Sequence, residues 1–192
     1  MHPTRRSILS AILAVPPALL MRASPAGAQT LSPTPSCGED ARPTIPQIEG
    51  PFFKPSAPLR RDLRADAPDG APIILAGYVL DTRCRPVPGA LVEIWHADET
   101  GAYDKAGFRL RAHHFTDAQG RWGFTTIVPA PYPGRTPHYH FKVRPRGGRT
   151  LTTQLYFPDE PRNRSDQIFD ARLVLALGSS AQGRVGRFDF VV

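Results

Sequence analysis

Short runs of alternating apolar and polar residues recur along this chain, each closed by proline, glycine or aspartate. A period of two puts one strand face on a core and the other toward solvent. Pro72–Asp81 (P-I-I-L-A-G-Y-V-L-D) is predicted as the first core strand and Leu91–His96 as the second, with Arg83–Gly89 as the turn between them. Ala112–Thr116 and Arg121–Ile127 flank Asp117-Ala118-Gln119-Gly120, a hairpin loop with its glycine at the end. A further strand begins near Thr136 and carries Tyr139, Phe141 and Val143. Leu151–Phe157, Ala171–Leu177 and Gly186–Val192 complete the set, and no heptad or internal repeat is visible. Eight or so short strands at hairpin-like spacing predict an all-β fold, an antiparallel β-sandwich with long functional loops.

Composition supports that picture. Of 192 residues, 41% are hydrophobic, enough for a core, while 22 prolines and 16 glycines favour turns over long helices. Residues 1–28 read as an export signal: Thr4-Arg5-Arg6-Ser7-Ile8-Leu9 is a twin-arginine pattern, an apolar stretch from Ile8 to Met21 follows, and Ala26-Gly27-Ala28 is a small-residue cleavage site. The apolar stretch is short and contains Pro16-Pro17, which disfavours a membrane anchor. Residues 29–48 are predicted as an extended arm and 49–192 as one domain. The expected location is therefore periplasmic or extracellular. There Cys37 in the arm and Cys84, the only two cysteines, can form a disulfide. Net charge is +7; removing the segment's three arginines from 24 basic residues leaves 21 against 17 acids. That excess is scattered, with no aromatic-interleaved stripe, so nucleic acid is excluded as a partner. A mildly basic surface suits a small anionic or phenolic ligand.

The chemistry concentrates in Pro131–Val143, P-Y-P-G-R-T-P-H-Y-H-F-K-V. On a strand, His138 and His140 project to one face while Tyr139 and Phe141 take the other. Two imidazoles on one face suit a shared metal ion, although a half-exposed strand with two polar residues would read the same way. Tyr132 sits in a stiff Pro-Tyr-Pro-Gly turn, and Arg135 is a permanent cation three residues before the first histidine. A phenol held as phenolate by a bound metal cation is a hard anionic donor, which favours Fe(III) over Zn(II).

With these residues in view, the chain resembles the intradiol ring-cleavage dioxygenases, the group of protocatechuate 3,4-dioxygenase and catechol 1,2-dioxygenase. The resemblance rests on E-G-P-F-F (Glu49–Phe53), P-G-A-L-V-E-I-W-H-A-D-E-T-G-A-Y (Pro88–Tyr103), T-D-A-Q-G-R-W-G-F (Thr116–Phe124), V-P-A-P-Y-P-G-R-T-P-H-Y-H-F (Val128–Phe141) and L-T-T-Q-L-Y-F (Leu151–Phe157). It implies a β-sandwich and a ferric site held by Tyr103, Tyr132, His138 and His140. Within that site it implies catalytic roles for Arg135, Tyr132 and Gln154, and a catechol-type substrate cleaved with O2 to a cis,cis-muconate. Glu49–Phe53 would border the substrate cleft. The family often has an aliphatic residue where Tyr139 stands, so the site depends on Tyr139 facing away from the metal. A long N-terminal helical segment of the kind found in catechol 1,2-dioxygenases is not expected from this sequence. The chain is thus expected nearer a protocatechuate-type core, with homo-oligomerisation left open.

Other readings stand beside this one. His96, His113 and His114 are rival ligands without partners at metal-site spacing, and Trp95 reads as core. Gln154 could be a satisfied core amide. A β-sandwich binding module without catalysis would keep the same fold. A Zn(II) hydrolase built on His138, His140 and a carboxylate lacks an acid at a known spacing.

Overall fold

A computed structural model describes residues 41–192. The export segment, most of the arm and Cys37 lie outside the described residues. Among the described residues nine strands form two sheets: β1 (Pro72–Leu80), β2 (Leu91–His96), β3 (Arg111–Phe115), β4 (Arg121–Ile127), β5 (His138–Arg144), β6 (Leu151–Tyr156), β7 (Ala176–Ser180), β8 (Gly183–Arg187) and β9 (Phe190–Val191). One sheet runs β4-β1-β8-β7 with β9 also on β1, and the other runs β3-β2-β5-β6. Pairing is antiparallel except that β8 and β9 lie parallel to β1.

The alternation does what the sequence pattern requires. From the first sheet Leu75, Val79, Trp122 and Phe124 face inward, and from the second Val92, Ile94, Tyr139, Phe141, Val143 and Leu155. Trp122, Phe141 and Phe190 meet pairwise at 5.2 Å between ring centroids and join the two layers. Burying aromatic rings of this size dominates core energetics. The residue between the two histidines goes inward: Tyr139 is fully buried, and its hydroxyl donates to the Ile127 carbonyl at 2.9 Å. Its phenol is pushed well above its ordinary pKa by burial, so it stays protonated and structural.

The C-terminal region departs from the sequence expectation. Ala171–Leu173 is a 3-10 turn, because the Asp170 carboxylate accepts the Arg172 N–H at 2.9 Å and pairs with the Arg172 guanidinium. The strand follows at Ala176–Ser180, an exposed Gly/Ser-rich run without hydrophobic alternation. The segment predicted as one strand over Gly186–Val192 is split in two. Asp189 accepts the Tyr78 N–H at 2.9 Å in place of a backbone partner. Gly77 opposite permits the approach, since a Cβ there would lie 1.7 Å from the Phe188 carbonyl oxygen.

The domain also binds part of the segment read as an arm. Thr44 N–H donates to Val191 C=O at 2.9 Å and Gln47 N–H to Thr152 C=O at 2.8 Å. Cys84 is disulfide-bonded.

His96 and His114 are buried as neutral rings, each with its pKa pushed down to about 4 by loss of hydration. The unfolded chain takes up these protons near pH 6.5, the folded chain only near 4. Their contribution to stability is therefore complete above pH 6.5 and is lost as pH falls toward 4. His114 Nε2 accepts the Gly123 N–H at 3.1 Å, a bond a glutamine oxygen can replace. The loss of unfolding free energy between pH 7 and pH 4.5, measured by urea denaturation, should be smaller in His114→Gln than in the parent. An unchanged pH dependence would contradict this account.

Candidate metal centre

Four aromatic side chains from three parts of the chain form a closed ring. His138 and His140 come from the outward face of β5. Tyr103 comes from the loop after β2, and Tyr132 from the turn before β5. Successive ring centroids are 5.8 Å (Tyr103–Tyr132), 5.5 Å (Tyr132–His138), 4.8 Å (His138–His140) and 6.2 Å (His140–Tyr103).

Local chemistry fixes each member. Asp98 follows β2 by two residues and its carboxylate collects Thr100 N–H, Thr100 Oγ1 and Ala102 N–H at 2.7–3.0 Å, which folds the loop tightly. Gly101 (φ +86) then packs on the next loop, where a Cβ would sit 2.6 Å from the Pro131 carbonyl oxygen. That contact brings Tyr103 to Tyr132. Pro133 and Gly134 form a turn closed by Arg135 N–H on Tyr132 C=O at 2.9 Å, so Tyr132 and Arg135 stand side by side.

The donor set fits one metal ion. His138 Nδ1 donates to the Thr136 carbonyl at 2.7 Å, which leaves Nε2 as the lone-pair nitrogen. Burial pushes this ring down to about 4 and His140 well below its ordinary value, so both are neutral. Their Nε2 atoms face each other at 3.1 Å. Two bonds of about 2.1 Å meeting near a right angle separate their donors by about 3 Å. Without a cation the pair can share one proton; with one, both lone pairs are used. The Tyr103 hydroxyl is buried without a partner, and burial, then the neighbouring Tyr132, raises its pKa. A buried, unpaired phenol costs stability unless something binds it. Among the described residues no cluster of three His, Cys, Asp or Glu side chains could hold a metal, so a hydrolase-type zinc set is not built here.

Arg135 is held by a network that the sequence reading only partly anticipated. Its Nε donates to Asp166 at 2.9 Å, its Nη1 to the Tyr132 hydroxyl at 3.3 Å, and its Nη2 to Gln154 Oε1. Gln154 donates its amide to Ile48 C=O at 3.1 Å and also accepts from Tyr156. It is fully buried, so its contacts are with Arg135 and the scaffold. Asp166 carried no sequence signal; it lies in the loop just after the 3-10 turn Pro161–Arg164. It also accepts the Thr136 and Ile168 N–H groups, tying the start of β5 to that loop.

The remaining residues divide by sheet face. His96 has both nitrogens engaged, on Ala97 C=O at 2.7 Å and Thr126 Oγ1 at 2.8 Å, inside the core. His113 Nδ1 donates to Ala57 C=O, and His114 lies against Phe124 on the opposite face. Trp95 is buried, but outside the main core: it stacks on His140 at 4.9 Å and 8°, fixing that imidazole plane. Phe52 stacks on Tyr103 at 4.4 Å and Phe53 meets Trp95 edge-on at 5.0 Å, so Glu49–Phe53 walls the site.

Comparison with known proteins shows the family to which the fold belongs. A family model described as Dioxygenase matches residues 48–192. The hydroxyquinol 1,2-dioxygenase of Rhodococcus opacus is 35% identical over 170 residues, covering 75% of this chain and 56% of that protein. The catechol 1,2-dioxygenase of Acinetobacter baylyi is 32% identical over 164 residues, covering 70% and 52%. The matched region thus spans about half the length of these relatives. The dioxygenase domain of a dioxygenase–carbohydrate-binding protein fusion from Streptomyces sp. SirexAA-E superposes with a TM-score of 0.76 at 48% identity, covering 79% of this chain and 98% of that one. The 3-chlorocatechol 1,2-dioxygenase of Rhodococcus opacus gives 0.70 at 30% identity, covering 77% and 72%. The chain belongs to the intradiol ring-cleavage dioxygenase family.

The Asp166 side chain is 1% exposed beside Arg135. Removing one member of such a pair strands the other charge, typically at a cost of about 3–5 kcal/mol. Asp166→Ala should therefore lose about 3 kcal/mol by urea denaturation, and a loss within about 0.5 kcal/mol, the range of ordinary surface substitutions, would contradict the pairing.

Proposed function

We propose that this chain is a ferric intradiol dioxygenase that cleaves a catechol-type ring with O2 to a cis,cis-muconate, keeping both oxygen atoms in the product. The observation that carries the reading is the meeting of two phenols and two neutral imidazoles beside an anchored arginine. Relatives named for catechol and hydroxyquinol point to the same substrate class.

Tyr103, Tyr132, His138 and His140 would hold the iron. Two phenolates offset much of a 3+ charge, so the site can remain in a half-buried cleft. Fe(III), when bound, supplies a Lewis acid that orients both substrate oxygens and draws charge from the ring, making a ring carbon reactive toward O2. The chain's own residues do the rest. Arg135 Nη1 donates to the Tyr132 oxygen at 3.3 Å. That phenolate oxygen can accept one proton from an arriving diol. Arg135, fixed by Asp166 and Gln154, then faces the negative charge on the substrate and needs no reorganisation to stabilise it. Gln154 acts by positioning Arg135. Trp95 and Phe52 hold His140 and Tyr103 and keep water from their outer faces.

Export by the twin-arginine route is part of the proposal. It is supported by the Arg5-Arg6 pattern and by the disulfide at Cys84, which suits an oxidising compartment.

Purified protein should carry one iron per chain, absorb visible light through tyrosinate-to-iron charge transfer, and take up O2 with catechol, hydroxyquinol or a chlorocatechol. In the cell this activity should sit in the exported fraction. Tyr132→Phe and His138→Ala should lose at least about a hundredfold in kcat, a loss on the scale of a removed transition-state contact. Colourless, iron-free protein, or full turnover in both variants, would refute the proposal.

A further inference from the structure

The outward face of the β3-β2-β5-β6 sheet carries a second cavity, of about 400 Å3, beyond the metal centre. Register places it. Trp95 pairs with His140, and two residues further along the same strands Glu93 pairs with Lys142 on one side and His113 on the other. Two residues of strand rise about 7 Å. The Glu93 row therefore lies about 7 Å from the Trp95–His140 row. Phe53 is a shared wall: it lines the cavity and meets Trp95 edge-on at 5.0 Å.

Of the polar side chains lining the cavity, Glu93 and His113 offer acceptors, Lys142 and Arg144 are cationic donors, and Ser56 and Thr150 carry hydroxyls. Glu93 is only 9% exposed and accepts no hydrogen bond among the described residues. Burial raises its pKa, and Lys142 and His113 oppose that shift. The Lys142 ammonium is directed elsewhere, to Glu49 and over the Phe53 ring at 3.4 Å from the centroid. His113 Nδ1 donates to Ala57 C=O at 2.6 Å, so in the neutral ring Nε2 is a free acceptor. Phe53, Leu91 and Phe115 supply apolar walls, and Phe115 is 49% exposed with the His113 ring edge-on at 5.8 Å. Ser56 at the rim holds φ +67, a left-handed conformation of the kind kept at ligand sites. Apolar walls beside the buried Glu93 carboxylate and the half-buried His113 ring fit a flat ligand that brings its own hydroxyl donor.

We propose that this cavity binds a phenolic ring, its hydroxyl donating to the Glu93 carboxylate and its face packed on Phe53 and Phe115. If the chain cleaves catechols as proposed above, on which this role rests, the cavity seats the second ring of a two-ring substrate whose catechol ring is at the metal centre.

Binding of 4-methylphenol, followed by calorimetry and by ligand NMR, tests the site without turnover. Wild type and His138→Ala should bind it alike, because the cavity lies outside the metal centre. Glu93→Leu and the surface variant Phe115→Ala should each bind at least about tenfold more weakly, the size of one lost charged hydrogen bond or one lost ring contact. With catechol substrates, both variants should raise the KM of a two-ring catechol relative to that of catechol itself. Binding abolished by His138→Ala alone, equal binding of glucose, or no binding at millimolar ligand would overturn the proposal. Intact phenol binding without catechol turnover would sink the enzyme reading instead, and intact turnover without phenol binding would sink only the second site.

Discussion

The alternation of β5 is the constraint on which the rest depends. This strand lies between β2 and β6 in its sheet, so its two faces cannot exchange without losing both ladders. One face sends Tyr139, Phe141 and Val143 into the core. The other is left with His138 and His140, side by side and already desolvated. A slip of one residue would bury two imidazoles among the aromatic residues and turn three large side chains outward. Core packing thus holds the imidazole pair in register, and stability and site geometry are the same property of this strand.

The loops complete what the strand begins, each by a local device. Asp98 folds the Tyr103 loop, Gly101 lets it touch the Tyr132 loop, and Pro133-Gly134 places Arg135 against Tyr132. Asp166 then anchors Arg135 and the Thr136 N–H together. Each of these side chains is positioned by a carboxylate, a tight turn or a stacked ring of the chain itself. A site preorganised in this way binds with little loss of side-chain freedom.

Much of this was legible in the sequence because it rests on short-range patterns. Period-two runs marked β1 to β6, and His-x-His marked a shared face. Tyr103 was visible only through the family resemblance, since a lone tyrosine after a glycine has no signature. Asp166 was not visible: its partners Arg135 and Thr136 are some thirty residues away, and nothing local distinguishes it from the acids around it. β7 was misplaced because Ala176–Ser180 is an edge strand of small, exposed residues. The break between β8 and β9 was missed because it depends on the Asp189 carboxylate replacing a backbone acceptor for Tyr78. Trp95 was correctly read as buried, but its stacking on His140 requires knowing which face of β2 it takes.

Diffraction from crystals of the purified protein, collected on either side of the iron absorption edge, tests the central claim most directly. The account predicts one anomalous peak per chain, within about 2 Å of both imidazole Nε2 atoms and of the Tyr103 and Tyr132 oxygens, a bonding distance for such donors. No peak at that point, or a peak bound by other residues while the two imidazoles keep their shared proton, would contradict it.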